Sequence, residues 1–74
     1  MTRLPIVSGR QVVKALQKID YEVDHQTGSH IILRCSFPPH RRVTVPDHRE
    51  ISPGTLRSIL RSVGLTTDEF REIL

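Results

Sequence analysis

A glycine–serine pair at Gly28-Ser29 separates two runs in which polar and apolar residues alternate, residues 21–26 and His30–Cys35. No other stretch constrains the fold as strongly. Gly28 supplies the positive φ that a tight hairpin tip often needs, and Ser29 is at home in a turn. His30 then opens the outgoing strand. Tyr21 and Val23 alternate with Glu22 and Asp24, and Ile31, Leu33 and Cys35 alternate with His30, Ile32 and Arg34. A slip of one residue would send a whole set to the opposite face, so the apolar pattern selects the register. A two-residue loop sets Val23 against Arg34 and mixes the faces. A three-residue loop, Thr27-Gly28-Ser29, pairs Val23 with Leu33 and Gln26 with His30, and gathers the apolar set on one side. A bulge would do the same. His30, Ile32, Arg34, Asp24 and Glu22 then take the open face, and His25 shares the inward parity of Val23.

Upstream, Ser8 and Gln11 have the spacing of a capping box. Val12, Val13, Leu16 and Ile19 follow as the apolar stripe of a helix over residues 9–19, with Lys14, Gln17 and Lys18 outward. Downstream, Phe37-Pro38-Pro39-His40 cannot sit inside a sheet, because two prolines remove two ladder donors, and it reads as a second turn with His40 solvated. Residues 42–45 form a short third strand stopped by Pro46, with Val43 and Val45 inward. A loop over residues 47–51 leads to Ser52-Pro53, a helix start. Leu56, Ile59, Leu60 and Val63 form that helix's buried stripe, and Gly64 ends it. Thr66-Thr67-Asp68-Glu69 caps a short last helix whose Phe70, Ile73 and Leu74 can cover the core edge. The class is α+β: helices on one face of a three-stranded antiparallel meander, with a short C-terminal helix.

Seventy-four residues make a single domain, residues 1–74, with little apolar surface to spare. One cysteine, Cys35, excludes an internal disulfide and reads as a small strand core residue, which fits a reducing compartment. No apolar run approaches a membrane span and no signal-peptide core is present, so a cytoplasmic protein is expected. Nine of the eleven basic residues are arginine, and the net charge is +3. Arginine's planar fork suits phosphate, so nucleic acid is a plausible partner on composition alone. No stacking aromatics stand on the open face, which argues against base-specific reading of single strands.

Three motifs occur in order: Gly28-Ser29-His30, then Arg42-Val43-Thr44-Val45-Pro46-Asp47-His48, then Gly54-Thr55-Leu56-Arg57-Ser58-Ile59-Leu60-Arg61. On these the chain resembles the HicA (YcfA-like) toxins, small ribonucleases of bacterial toxin–antitoxin pairs, over about residues 8–70. The resemblance implies a double-stranded-RNA-binding-domain-like α-β-β-β-α arrangement and a metal-independent endoribonuclease that cleaves mRNA. It also implies a HicB-type antitoxin that covers the His30 face. The family's catalytic histidine falls on His30, and imidazole is suited to proton transfer near neutral pH. Many members carry a second histidine next to the first; here that position is Ile31, which leaves one-imidazole catalysis as the simpler case.

The second acid/base is open. His48 matches a position often histidine in the family, although a loop histidine bonding a backbone carbonyl accounts for it equally well. Ser29, Arg34, Arg42, Arg57 and Arg61 are the candidate RNA contacts, the last two as a rail along the second helix, whose N-terminus can also meet phosphate. Ile32, an apolar residue among His30, Arg34 and Arg42, is the candidate antitoxin contact. No histidine or cysteine has a recognised metal-ligand spacing, so no metal or cofactor is expected. The rival reading is a non-catalytic RNA- or DNA-binding module that uses the same basic face.

Overall fold

Side-chain caps decide where each helix of this protein begins. The computed structural model describes residues 3–74. Ser8 accepts from the Gln11 amide at 3.1 Å while the Gln11 side chain accepts from the Ser8 amide at 2.8 Å, which starts α1, Gly9–Gln17. The helix ends two residues before Ile19, and Asp20 at φ 72° turns the chain into β1, Tyr21–Thr27. β2 spans His30–Cys35 and β3 spans Arg42–Pro46. Ser52 caps α2, Pro53–Val63, which stops at Gly64 with φ 76°. Thr66 and Glu69 form a second capping box at α3, Thr67–Ile73.

The sheet has the order β1-β2-β3, antiparallel throughout. With three helices added, this is the α+β order read from the sequence pattern and the double-stranded-RNA-binding-domain-like arrangement that the family resemblance implies. Tyr21, Ile31, Leu33, Val43 and Val45 face the helices. Val12, Val13, Ala15 and Leu16 of α1 and Leu56, Ile59 and Leu60 of α2 cover them, and Phe70 of α3 completes the cluster. Cys35, Val63 and Ile73 pack at its margin, but Leu74 is largely exposed and covers little.

The hairpin departs from the three-residue loop. Thr27 pairs with His30 around a two-residue Gly28-Ser29 tip, Gln26 pairs with Ile31, and His25 pairs with Ile32. Val23 still pairs with Leu33, because Asp24 is an extra residue at a bulge between Val23 and His25. The bulge keeps the apolar set on one face and shortens the loop as well. It also reverses His25, which leaves the inward parity expected for it and lies on the open face opposite Ile32. Val23 keeps the register of Leu33 but is 45 % exposed, because edge strand β1 extends past the helical cover.

The N-terminus of α1 packs against the end of β3. The Gly9 amide donates to the His48 carbonyl at 2.9 Å, and a Cβ on Gly9 would stand 2.0 Å from the Pro46 carbonyl oxygen. Only glycine permits that approach. Nearby, the Ile51 amide donates to the Val7 carbonyl at 2.8 Å, so the chain leading into α2 runs beside the chain leading into α1. Gly9→Ala is therefore expected to cost about 1–3 kcal/mol by overpacking, which would lower the melting temperature by about 4–8 °C per kcal/mol. An unchanged thermal melt would refute the close approach.

Candidate functional site

His30 is the first residue of β2 and is exposed. Its neighbours across the sheet are Thr27 and Pro46. The tip that carries it is tied down from several directions. The Asp47 amide donates to the Ser29 carbonyl at 2.6 Å, and the Gln26 amide group donates to the Gly28 carbonyl at 3.1 Å and to Asp47 Oδ2 at 3.3 Å. Asp47 Oδ1 accepts from Arg10 Nε at 3.3 Å. One aspartate thus joins the hairpin tip, the exit of β3 and the first turn of α1. Arg10 is mostly solvated, so its ion pair adds little energy, and the value of the cluster is geometric. The sequence alone did not single out Asp47, Gln26 or Arg10. The Val-Thr-Val-Pro-Asp run contained the signal, but its meaning depends on the two-residue tip.

His30, Ile32 and Arg34 share the open face by strand alternation. Across β2, Ile32 pairs with Thr44 and Arg34 pairs with Arg42. Like charges set directly opposite each other destabilise a sheet by a few tenths of a kcal/mol or more. Acidic residues on β1 offset part of this: Glu22 pairs with Arg34, and Asp24 Oδ2 lies 3.9 Å from Arg42 Nη2. Asp24 also accepts from His25 Nδ1 at 2.9 Å. Its carboxyl is held below the usual range by that hydrogen bond first, with Arg42, His25 and Arg34 adding attraction and desolvation opposing. Ile32 is half-buried at the centre of this face.

The other candidates are dispersed. His48 is exposed in the loop after β3, and it is its backbone carbonyl that takes part in the fold, as the acceptor for Gly9. Arg57 and Arg61 are exposed on α2, within the helical layer, across the sheet from Arg34 and Arg42. His40 is not solvated as expected; it is partly buried at φ 59° and its Nδ1 lies 3.1 Å from the Cys35 carbonyl. Among the described residues, no three His, Cys, Asp or Glu side chains converge as a metal site requires. No helix among them is long and apolar enough to cross a membrane.

The family model for the HicA toxin of bacterial toxin–antitoxin systems matches residues 9–65. The chain belongs to the HicA toxin family. No curated protein matches it. The span that makes it a HicA toxin runs from α1 through Leu65 and includes the hairpin tip, the paired arginines and all of α2. In this HicA toxin α3 falls beyond that span, yet it contributes the fully buried Phe70.

The depressed Asp24 carboxyl makes a pH signature. Its interactions stabilise the folded state fully above the ordinary value of 3.8 and are lost as pH falls through the lowered folded value. Wild type should therefore melt above Asp24→Asn at neutral pH, with the gap closing in acid below 3.8. A gap that persists in strong acid would show that the carboxylate charge is not its source.

Proposed function

We propose that this HicA toxin is a metal-independent endoribonuclease that cleaves mRNA, with His30 as a general acid/base. The observation that carries the reading is the site's construction: an exposed imidazole on a tip tied by Asp47, on the same sheet face as two arginines held opposite each other further along β2 and β3. RNA contains its own nucleophile, the 2′-hydroxyl next to the phosphate. A protein that removes or supplies a proton and steadies the phosphate charge therefore has the groups the reaction needs. In this reading His30 exchanges the proton, Ser29 and the tip backbone contact the RNA strand, and Arg34 and Arg42 hold the phosphate oxygens. Arg57 and Arg61 serve flanking RNA on the helical layer. His48, exposed in the loop beside the Asp47 tie, is open to contact the RNA.

The partner in this reading is a HicB-type antitoxin that covers the His30 face. Ile32 at the centre with His30, Arg34 and Arg42 around it has the composition of an interface core with a charged rim. The protein acts in the cytoplasm, where mRNA is available, and residues 1–74 work as one domain.

Two measurements test these assignments. Purified protein is expected to cut RNA in the presence of EDTA, and His30→Ala to abolish cutting and growth arrest while RNA binding and thermal melting stay near wild type. Cleavage by folded His30→Ala protein would overturn the catalytic role. Ile32→Asp is expected to weaken antitoxin binding by at least tenfold in a protein that still folds. Wild-type affinity in the folded variant would move the antitoxin elsewhere.

A further inference from the structure

The bulge at Asp24 does more than keep the apolar register. Without it, His25 would face the helices; with it, Asp24 and His25 both project onto the open face, and His25 lies opposite Ile32. His30 is two residues from Ile32 on the neighbouring strand and shares that face. The two histidines are therefore diagonal neighbours, a relation that separates backbones by about 7–8 Å. Two imidazoles so spaced can each come within about 2.6–3.2 Å of a different oxygen on one phosphate lying between them.

His25 is also oriented. Its Nδ1 faces Asp24 Oδ2 at 2.9 Å, and an ionised carboxylate only accepts, so Nδ1 holds the donated hydrogen and Nε2 is directed away from Asp24. The ring side chain is 55 % exposed, open to a substrate. The charged groups that face it are Asp24 on its own strand, with Arg34 and Arg42 from β2 and β3 near that carboxylate. The bland account is a solvated ion pair on an edge strand, worth little in stability. The bulge itself is required by the apolar register, but packing does not require that an aspartate–histidine pair occupy it, on the face shared by His30 and the paired arginines. Bulges recur beside active sites because they re-aim side chains in this way.

We propose that His25 is the general acid that completes the His30 site, with Asp24 as its positioning residue. This rests on the ribonuclease reading above and deepens it by naming the second proton-transfer group. His30 takes the proton from the 2′-hydroxyl, the 2′-oxygen bonds to phosphorus, and the bond from phosphorus to the 5′-oxygen breaks. The His25 imidazolium gives its Nε2 proton to that departing oxygen. The products are a 2′,3′-cyclic phosphate and a 5′-hydroxyl, with one proton gained at His30 and one lost at His25. Exchange with water restores both, and no oxidant, reductant or co-reactant is required. Arg34 and Arg42 face the non-bridging oxygens, and Ile32 forms an apolar floor between the two imidazoles.

Leaving-group chemistry separates an acid from a merely structural residue. The full chain and its His25→Ala, His30→Ala and Asp24→Asn variants would be assayed on an RNA oligonucleotide and on uridine 3′-(4-nitrophenyl phosphate), whose nitrophenolate departs without a proton. His25→Ala is expected to lose about 10²–10⁴-fold in kcat on RNA, to lose the basic limb of the pH–rate profile, and to keep near wild-type kcat on the nitrophenyl ester. His30→Ala should fail on both substrates. Asp24→Asn should fall between wild type and His25→Ala on RNA alone. Wild-type kcat on RNA for His25→Ala, or an equal loss on both substrates, would overturn the assignment while leaving RNA cleavage by the wild type in place. Failure of the wild type to cleave either substrate would instead overturn the ribonuclease reading, and this inference with it.

Discussion

The seam where α1 begins and β3 ends holds the rest of this protein in position. Gly9 lies against the Pro46 carbonyl with no room for a side chain, and its amide bonds the next loop at His48. From that seam Asp47 reaches the hairpin through its backbone amide and Oδ2, while its Oδ1 holds Arg10 of α1. The tip has no core of its own, since two-residue loops bury almost nothing. Its rigidity is borrowed from the packed α1–β3 contact, which is backed by Val7, Val12, Val45 and Leu56. A small chain with few apolar residues can in this way hold one exposed imidazole still without burying it.

The two faces of the sheet answer different demands. One is apolar at its centre and is closed by three capped helices. The other sets Arg34 opposite Arg42, an arrangement a purely structural sheet would avoid, and balances it only partly with Glu22 and Asp24. A partly compensated arginine pair is costly for folding, and it leaves net positive charge on the face that carries the exposed His30. Membership of the HicA toxin family gives that surface a biological setting, a toxin paired with an antitoxin. Ile32 is half-buried at its centre.

The bulge connects fold and chemistry. A regular ladder through Asp24 would have needed a longer loop, or would have placed Arg34 in the core. One extra residue in β1 resolves that conflict locally, at the cost of a ladder position on an edge strand, where the loss is small. The same residue turns the Asp24–His25 pair outward toward Arg42. A feature required by packing thus also decides which side chains meet on the open face.

Element order, helix caps, the inward set and the exposed His30 were all legible in the sequence, because each depends on local spacing. Ser8 with Gln11, Ser52 with Pro53, and Gly64 signal their roles within four residues, and alternation alone assigns Ile31, Leu33, Val43 and Val45 inward. Loop length and bulge position were not legible, since a three-residue loop and a bulged two-residue loop satisfy the same apolar pattern. Only the packed sheet chose between them, and that choice moved His25 from one face to the other. Asp47 was invisible for a related reason: its partners Arg10, Gln26 and Ser29 are brought together by long-range contacts that no spacing encodes. Arg57 and Arg61 lie on the second helix as helical spacing assigns them, on the other side of the sheet from Arg34 and Arg42. Local pattern determines which residues are buried, and tertiary packing determines which of the exposed ones meet.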